Sequence, residues 1–283
     1  MRTTLYLIMG FGWLTAGPLS GQFETHLSPV TQSDYQNYLK GVESELAARW
    51  QGSRPLLSLD QDSDDKARAH QGELVIVELS NSKTPSIRNG RVHDWVGTAF
   101  IRGVTVARVL SILSDFDRHK DFYPDVVQSN LVSRQGNRVT GRWRLKRTKI
   151  ITVELEVDQQ ADYVSLAPGV WTVRSHATRI REVQSPGEAS EKLFPPGEGN
   201  GFLWRLDSYW TLRQEADGVY AECRTVSLSR SIPASLAWVI KPLLESMPRE
   251  SLASTLRSTR DAASNQRVSS SSNQLPSATS AAR

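Results

Sequence analysis

The chain has 283 residues, of which 39% are hydrophobic and 23% charged, and its formal net charge is +4. This is ordinary globular composition for one large or two small domains, and it excludes a wholly disordered chain. The single cysteine, Cys223, excludes an internal disulfide, and the small net charge gives little support for nucleic acid or another polyanion as a partner.

Residues 1–21 have the pattern of a cleaved signal peptide. Arg2 supplies a positive charge, and the run 5–14 is apolar and uncharged. Small residues follow this run, at Ala16, Gly17, Ser20 and Gly21. We expect cleavage near Gly21 and therefore a secreted or periplasmic protein. An uncleaved anchor is the alternative, although the run is short for a membrane-spanning helix.

Residues 22–90 form an N-terminal extension in which we expect one helix and one short strand. Apolar and aromatic positions recur at helical spacing over 34–50, and Ser33 or Asp34 would cap that helix. A polar, Asp-rich stretch follows, the apolar run 74–79 is the predicted strand, and a loop leads to the next domain. The sequence does not indicate what this extension does.

The main domain is predicted over 91–263 and begins with a strand at 92–102. A helix is predicted over 104–113, because valine and leucine recur there at helical spacing. It ends at a charged segment, 115–121, where we expect His119 to lie at a solvated helix end. A Tyr-Pro pair then returns the chain to an extended conformation.

From residue 139 the apolar pattern changes to the period of two that is typical of strands. Apolar positions alternate over 139–145 and 151–157, with basic residues between them on the first strand and acidic residues on the second. This pairing predicts adjacent strands with one buried face. Further strands are predicted at 162–167, 170–183, 201–213 and 218–230, with a hairpin turn at Asp217–Gly218.

The basic residues of this region have two interpretations. They are Arg142, Arg144, Lys146, Arg147 and Lys149. Pairing with Glu154 and Glu156 on the next strand would make them a solvated sheet face. The alternative is a transient contact with anionic head groups at a membrane surface.

The C-terminal part is predicted to be helical and then disordered. Pro233 begins a helix, and Pro242 and Pro248 are expected to break the helical stretch into pieces. The last piece, 249–262, places its leucines on one side. The tail 264–283 consists mostly of Ser, Ala, Asn and Gln without periodicity, and we expect it to be disordered.

This order of elements predicts an α+β domain, an antiparallel sheet with helices on one face. Trp204, Ser208 and Trp210 are expected to share a strand face, beside the small side chains of Cys223 and Thr225 on the next strand. Large residues beside small ones leave either a cavity or a filled core. An aromatic stripe is by itself more often core than pocket.

Five motifs between 92 and 262 carry a resemblance to a known family. They are Trp-Val-Gly-Thr-Ala-Phe at 95–100, Val-Leu-Ser-Ile-Leu at 109–113, Asp-Phe-Asp at 115–117 leading to Phe-Tyr-Pro at 122–124, Trp-Arg-Leu-Asp-Ser-Tyr-Trp at 204–210, and Ser-Ile-Pro at 231–233. With them the stretch resembles the START-like superfamily, also called the SRPBCC or polyketide cyclase and lipid transport group. The resemblance implies a helix-grip fold, a twisted antiparallel sheet wrapped around a C-terminal helix.

The resemblance also implies a cavity, since relatives bind lipids, sterols, polyketides, quinones or plant hormones. We therefore expect an exported binding or carrier protein for a hydrophobic small molecule or lipid. The expected ligand-binding residues are Trp143, Val153, Trp204, Ser208, Trp210, Cys223 and Thr225. Arg174 and His176 are further candidates, as polar contacts for a head group, if their strand face points inward; an outward face is the alternative.

No catalytic constellation is visible in the sequence. The five histidines are scattered without metal-ligand spacing and no nucleophile motif is present, so no catalytic residue, metal or cofactor is predicted. A cyclase- or hydrolase-like enzyme using the same cavity is an alternative, and only Arg174, His176 or Arg179 could serve it as a charged or titratable group. A ligand-free interaction module is a further alternative, favoured by a filled core. Cys223 is expected to be a buried, unreactive thiol.

Overall fold

The structure, a computed structural model, describes residues 25–80, 84–148, 152–231 and 237–265, and for 237–245 it describes the backbone alone. The predicted signal peptide, the helix start at Pro233 and the predicted disordered tail beyond Asn265 lie outside the described residues.

Five α-helices lie in the described part of the chain. They are α1 (Pro29–Trp50), α2 (Ser63–His70), α3 (Val106–Ser114), α4 (His119–Phe122) and α5 (Ala237–Ser264). α1 begins earlier than the apolar spacing predicts, because Ser28 Oγ accepts a hydrogen bond from the Thr31 amide at 3.1 Å and proline occupies the first turn. None of the helices within the described ranges is both long and apolar enough to cross a membrane.

The strands form one large antiparallel sheet and one small pair. They are β1 (Thr25–His26), β2 (Val75–Glu78), β3 (Gly90–Arg102), β4 (Val126–Gln135), β5 (Arg138–Thr148), β6 (Thr152–Ala167), β7 (Val170–Gln184), β8 (Lys192–Leu193), β9 (Glu198–Gly199), β10 (Arg205–Glu215) and β11 (Gly218–Arg230). The large sheet has the order β2-β3-β11-β10-β7-β6-β5-β4, with β8 paired to β7, and β1 pairs with β9.

The register confirms the strand pairing predicted from the period of two. Trp143 on β5 lies opposite Val157 on β6, and the predicted turn at Asp217–Gly218 joins β10 to β11. The two strands predicted at 151–158 and 162–167 are a single strand, β6. Sixteen residues of β6 therefore present one continuous set of alternating side chains to each face.

The inner face of the sheet packs on α3 and on the C-terminal part of α5. Leu252 and Leu256 of α5 lie in one apolar cluster with Trp95 and Trp210 of the sheet. A Cβ atom at Gly97 would lie 2.6 Å from Leu256 Cδ1, so the missing side chain lets α5 approach β3 closely. An antiparallel sheet with a C-terminal helix packed across its inner face is the predicted α+β helix-grip fold, and that prediction is confirmed.

The outer face of β3, β10 and β11 is covered by α1. Tyr35, Val42 and Leu46 of α1 pack with Tyr209 and Leu228 of the sheet. β2 adds a strand to the sheet edge at β3. The N-terminal extension is thus packed onto the same body as the sheet.

α5 runs without interruption from Ala237 to Ser264, so the prediction that Pro242 and Pro248 break it is wrong. A proline removes one backbone hydrogen bond and crowds the preceding turn, but it need not end a helix that is held by packing. Leu252 and Leu256 supply that packing, since each is only 1% exposed.

Candidate functional site

A cavity of about 300 Å³ lies between the inner face of the sheet and α5. Apolar side chains form much of its wall, among them Trp143, Leu145, Val153, Leu155 and Trp210 from the sheet and Met247, Pro248 and Leu252 from the helix. The volume is at the lower end of the range for small-molecule pockets.

One side of the cavity is an aromatic wall built around His119. Trp143 Nε1 donates a hydrogen bond to His119 Nδ1 at 3.0 Å, and His119 Nε2 lies 3.1 Å from the carbonyl oxygen of Ile112. Phe116 stacks on Trp143 with ring centroids 5.5 Å apart. A Cβ atom at Gly141 would collide with the Phe116 ring, so this wall depends on glycine at that position.

The prediction that His119 lies at a solvated helix end is wrong, because the residue is only 3% exposed. Burial lowers the pKa of His119 to about 4, since the charged imidazolium would lose its hydration. The ring is therefore neutral at physiological pH. It can then accept a hydrogen bond from Trp143 on one nitrogen and donate one to the Ile112 carbonyl from the other.

Four polar side chains on neighbouring strands cross the otherwise apolar wall. Ser208 on β10 lies in register with Thr225 on β11 and with Ser175 on β7. Gln159 on β6 joins this row because its Nε2 donates a hydrogen bond to Ser175 Oγ. All four residues line the cavity, and we call Gln159, Ser175, Ser208 and Thr225 the polar belt.

Charged side chains line the cavity at a different place, where β5 ends beside α5. Arg147 forms ion pairs with Asp125 at 3.3 Å and with Glu250 of α5 at 3.1 Å, and it also bonds Ser251 Oγ. Lys146 lies beside them, with 45% of its side chain exposed. This cluster, Asp125, Lys146 and Arg147, forms the charged end of the cavity.

Six of the predicted ligand-binding residues line the cavity. They are Trp143, Val153, Ser208, Trp210, Cys223 and Thr225. Cys223 is buried, as expected, and burial raises the pKa of its thiol far above the ordinary value. That these six residues bind a ligand stays a prediction.

Trp204 does not line the cavity, so the prediction that it shares the face of Trp210 is wrong. It packs instead with Tyr35 and Leu228 in the cluster under α1. The regular part of β10 begins at Arg205, and Trp204 lies in a bend before it. Strict alternation of faces holds only within a strand, so parity counted back through a bend points to the wrong face.

Arg174 and His176 lie on the outer face, which resolves the alternative that the sequence left open. The Arg174 guanidinium lies 4.7 Å from the ring centroid of Trp50 in α1, and His176 is in register with Asp207. A bulge at Thr178, where the pairing of β6 with β7 skips one residue, changes the parity further along β7. Neither Arg174 nor His176 reaches the cavity.

The basic residues of β5 pair with acidic residues of β6, as one of the two interpretations predicted. Arg144 bonds Glu154, and Arg142 lies 2.6 Å from Asp158 and 4.0 Å from Glu156. Charges that are neutralised by their neighbours in this way attract an anionic surface less strongly than free ones would. A transient membrane contact of this face stays a prediction.

Sequence reasoning missed three polar residues that line the cavity: His93, Gln159 and Ser175. Gln159 continues the inward positions of Val157 once β6 is treated as one long strand. His93 lies two residues before Trp95 on β3, so its inward direction follows from the same alternation. Its Nε2 lies 3.0 Å from Ser229 Oγ, which also lines the cavity.

No protein-family model matches the chain, and no curated protein sequence does. Solved structures with some similarity include a fragment of a STAR-related lipid transfer protein from Xanthomonas axonopodis, with 18% identity over 67% of this chain and 99% of that one and a TM-score of 0.46. Another is the Zhui aromatase/cyclase from Streptomyces sp. R1128, with 11% identity over 62% and 93% of the two chains and a TM-score of 0.41.

A third similar structure is human STARD10, with 11% identity over 72% of this chain and 79% of that one and a TM-score of 0.40. What these proteins bind or catalyse is a property of those proteins. The helix-grip fold of this chain is assigned from its own sheet and C-terminal helix, whatever the size of these scores.

Proposed function

We propose that this chain is an exported binding protein for one small, largely apolar compound. The observation that supports it is the apolar cavity of about 300 Å³ between the sheet and α5. A water molecule takes about 30 Å³ in the liquid, so the volume corresponds to roughly ten waters. That size favours a single small molecule over a lipid with two long chains. It also counts against the ligand-free interaction module, which depended on a filled core.

A neutral fluorescent probe tests this proposal. N-phenyl-1-naphthylamine fluoresces more strongly when it leaves water for an apolar site. We expect saturable binding to a single site, and we expect apolar compounds of similar size to displace the probe. Protein purified from its native host should also release a hydrophobic compound into organic solvent, detectable by mass spectrometry.

A filling variant shows whether the cavity is the site. Cys223→Trp places a large side chain beside Trp210, its partner in the register, and should weaken probe binding at least tenfold. Overpacking would cost about 1–3 kcal/mol of stability, so the variant should still fold. Thr178→Trp adds the same ring at an exposed position and should bind like the unmodified protein. Equal affinities for both variants, or no probe binding at all, would contradict the proposal.

The export part of the proposal concerns residues outside the described ones and rests on the sequence pattern of residues 1–21. N-terminal sequencing of protein recovered from outside the cytoplasm should begin near Gln22. Mature protein that still begins at Met1 would count against a cleaved signal peptide and favour the uncleaved anchor.

An enzyme using the same cavity is the second candidate, favoured by the 3.0 Å distance from His93 Nε2 to Ser229 Oγ. A histidine beside a hydroxyl is the arrangement in which a base activates a nucleophile. Arg174, His176 and Arg179, the residues that the sequence offered, do not line the cavity. Recovery of the bound compound distinguishes the two functions, since a carrier returns it unchanged and an enzyme converts it.

A further inference from the structure

The polar belt contains a buried amide that is only half satisfied. Gln159 is 1% exposed, and its Oε1 has no hydrogen-bond partner among the described residues, while its Nε2 is bonded to Ser175. Turning the amide by 180° exchanges the two atoms and leaves the nitrogen without a partner instead. In either orientation one polar atom is buried at a cost in free energy.

The two hydroxyls beside it extend this unmet hydrogen-bonding capacity along the row. Within the described residues, the side-chain hydroxyls of Ser208 and Thr225 have no hydrogen-bond partner, although both line the cavity. A hydroxyl both donates and accepts, so the belt offers donors and acceptors together. Their alignment across adjacent strands places them on one side of the space that a ligand would occupy.

The belt is also remote from the charged end of the cavity. Arg147 is in register with Val153, which lies six positions from Gln159 along β6, a separation of about 20 Å. An ionised group at the belt would lack the counter-charge that buried ions require. The charged end is partly exposed, whereas Gln159 and Ser175 are buried, so the belt is the deeper of the two polar regions.

We propose that the polar belt binds the hydroxyl of a neutral, otherwise apolar alcohol or phenol, with Gln159 as the residue that selects it. The inference rests on the proposed binding function and narrows its ligand class. A ligand hydroxyl satisfies the free amide atom whichever way the amide is turned, because it can donate to the oxygen or accept from the nitrogen. Its apolar body then lies against Trp143, Trp210 and the helix.

Three compounds with the same apolar body test the selectivity: 2-naphthaleneethanol, 2-ethylnaphthalene and 2-naphthaleneacetate. Each competes against N-phenyl-1-naphthylamine for the unmodified protein. One satisfied buried hydrogen bond corresponds to an advantage of about tenfold, so the alcohol should displace the probe about tenfold more effectively than the hydrocarbon. The carboxylate should be weakest. His93, opposite Ser227 in the register, could supply a positive charge, and the carboxylate measures that possibility.

Gln159→Leu removes the amide with little change in shape, and it should abolish the preference for the alcohol while leaving binding of the hydrocarbon as tight or tighter. Gln160→Leu is the matched control, since Gln160 is the next residue of the same strand and points to the opposite face. It should keep the preference. Ligand-free Gln159→Leu should melt at the same temperature or higher, because an unsatisfied buried group has been removed. Ser208→Ala is a second, milder variant and should reduce the preference.

The outcomes separate this inference from the function on which it rests. Equal displacement by all three compounds, or tightest binding of the carboxylate, overturns the role of the belt and leaves the apolar binding function intact. A preference that survives in both Gln159→Leu and Ser208→Ala also overturns it. Failure of the probe and of all three compounds to bind the unmodified protein overturns the binding function as well.

Discussion

At the scale of single residues, burial moves the pKa of His119 and of Asp207 in opposite directions. His119 lies at the cavity and burial lowers its pKa to about 4. Asp207 lies on the outer face under α1, where burial raises its pKa to about 6. Tyr35 Oη donates a hydrogen bond to the Asp207 carboxylate at 2.8 Å, and His176, Glu43 and Arg205 also act on its charge.

These shifts give the free energy of unfolding two opposing dependences on pH. Between about pH 4 and 6.5 the unfolded chain protonates His119 and the folded protein does not, so this residue makes stability rise with pH. Between about pH 4 and 6 the folded protein keeps Asp207 protonated and the unfolded chain does not, so this residue makes stability fall as pH rises. One proton changes the free energy by at most about 1.4 kcal/mol per pH unit.

Each residue's contribution should appear when the other is kept and the first is replaced. Relative to His119→Gln, the unmodified protein should gain stability from pH 4 to 6.5, and relative to Asp207→Asn it should lose stability from pH 4 to 6. Urea unfolding followed by tryptophan fluorescence at pH 4, 5, 6 and 7 measures both differences. A constant difference for His119→Gln would mean that its imidazole titrates alike in the folded and unfolded chains, contrary to its burial.

Two tryptophans show where residue-scale prediction from sequence succeeds. Trp210 lies within β10 and faces the cavity, as its parity predicts, whereas Trp204 precedes the strand and packs on the other face. The sequence contains no proline or glycine between them that would announce the bend. The strand start at Arg205 depends on pairing with Leu228 of β11, a tertiary contact that parity cannot supply.

At the scale of elements, α1 is fixed to the sheet by buried charges as well as apolar packing. Arg224 on β11 forms an ion pair with Asp94 on β3 at 2.7 Å and another with Glu45 of α1 at 2.8 Å. Tyr38 of α1 donates a hydrogen bond to the same Asp94 carboxylate at 2.6 Å. Removing one partner of a buried pair leaves the other charge uncompensated, which is what makes such pairs costly to break.

This docking explains why the sequence could not assign a role to residues 22–90. The helical pattern of α1 was visible in its apolar spacing, but its target, the outer face of β10 and β11, carries Asp207, Tyr209 and Arg224. Those side chains look solvated in a strand pattern. They are polar residues that become buried only when α1 is in place.

The strands and the C-terminal helix differ in how far local signals determine them. The turn at Asp217–Gly218 and the alternation over 139–157 are short-range signals, and both predictions are confirmed. The continuity of α5 through Pro242 and Pro248 is not a local property, because prolines disfavour it. It depends on contacts such as those of Leu252 and Leu256 with the sheet.

At the scale of the whole molecule, the sheet is packed on both faces and the cavity occupies part of the inner one. The sequence supplied the inward positions of Trp210, Cys223 and Thr225, but not whether the space between them and α5 is filled. That depends on how closely the helix approaches, which Gly97 permits on β3. The remaining volume is therefore a result of tertiary distances and not of any single pattern.

Because the outer face is built to be covered, removing α1 should destabilise the whole molecule. Tyr35, Val42 and Leu46 are almost completely buried, and each contributes about 1.5–3 kcal/mol by burial. Their sum is comparable to the 5–15 kcal/mol that stabilises a typical domain. A chain that begins at Arg54 should therefore lose its cooperative thermal transition or aggregate, compared with a chain that begins at Gln22. Removing residues 266–283 from the latter tests the predicted disordered tail and should change the free energy of unfolding by less than about 0.5 kcal/mol. A chain lacking α1 that unfolds cooperatively with nearly unchanged stability would show that the sheet does not need its outer cover.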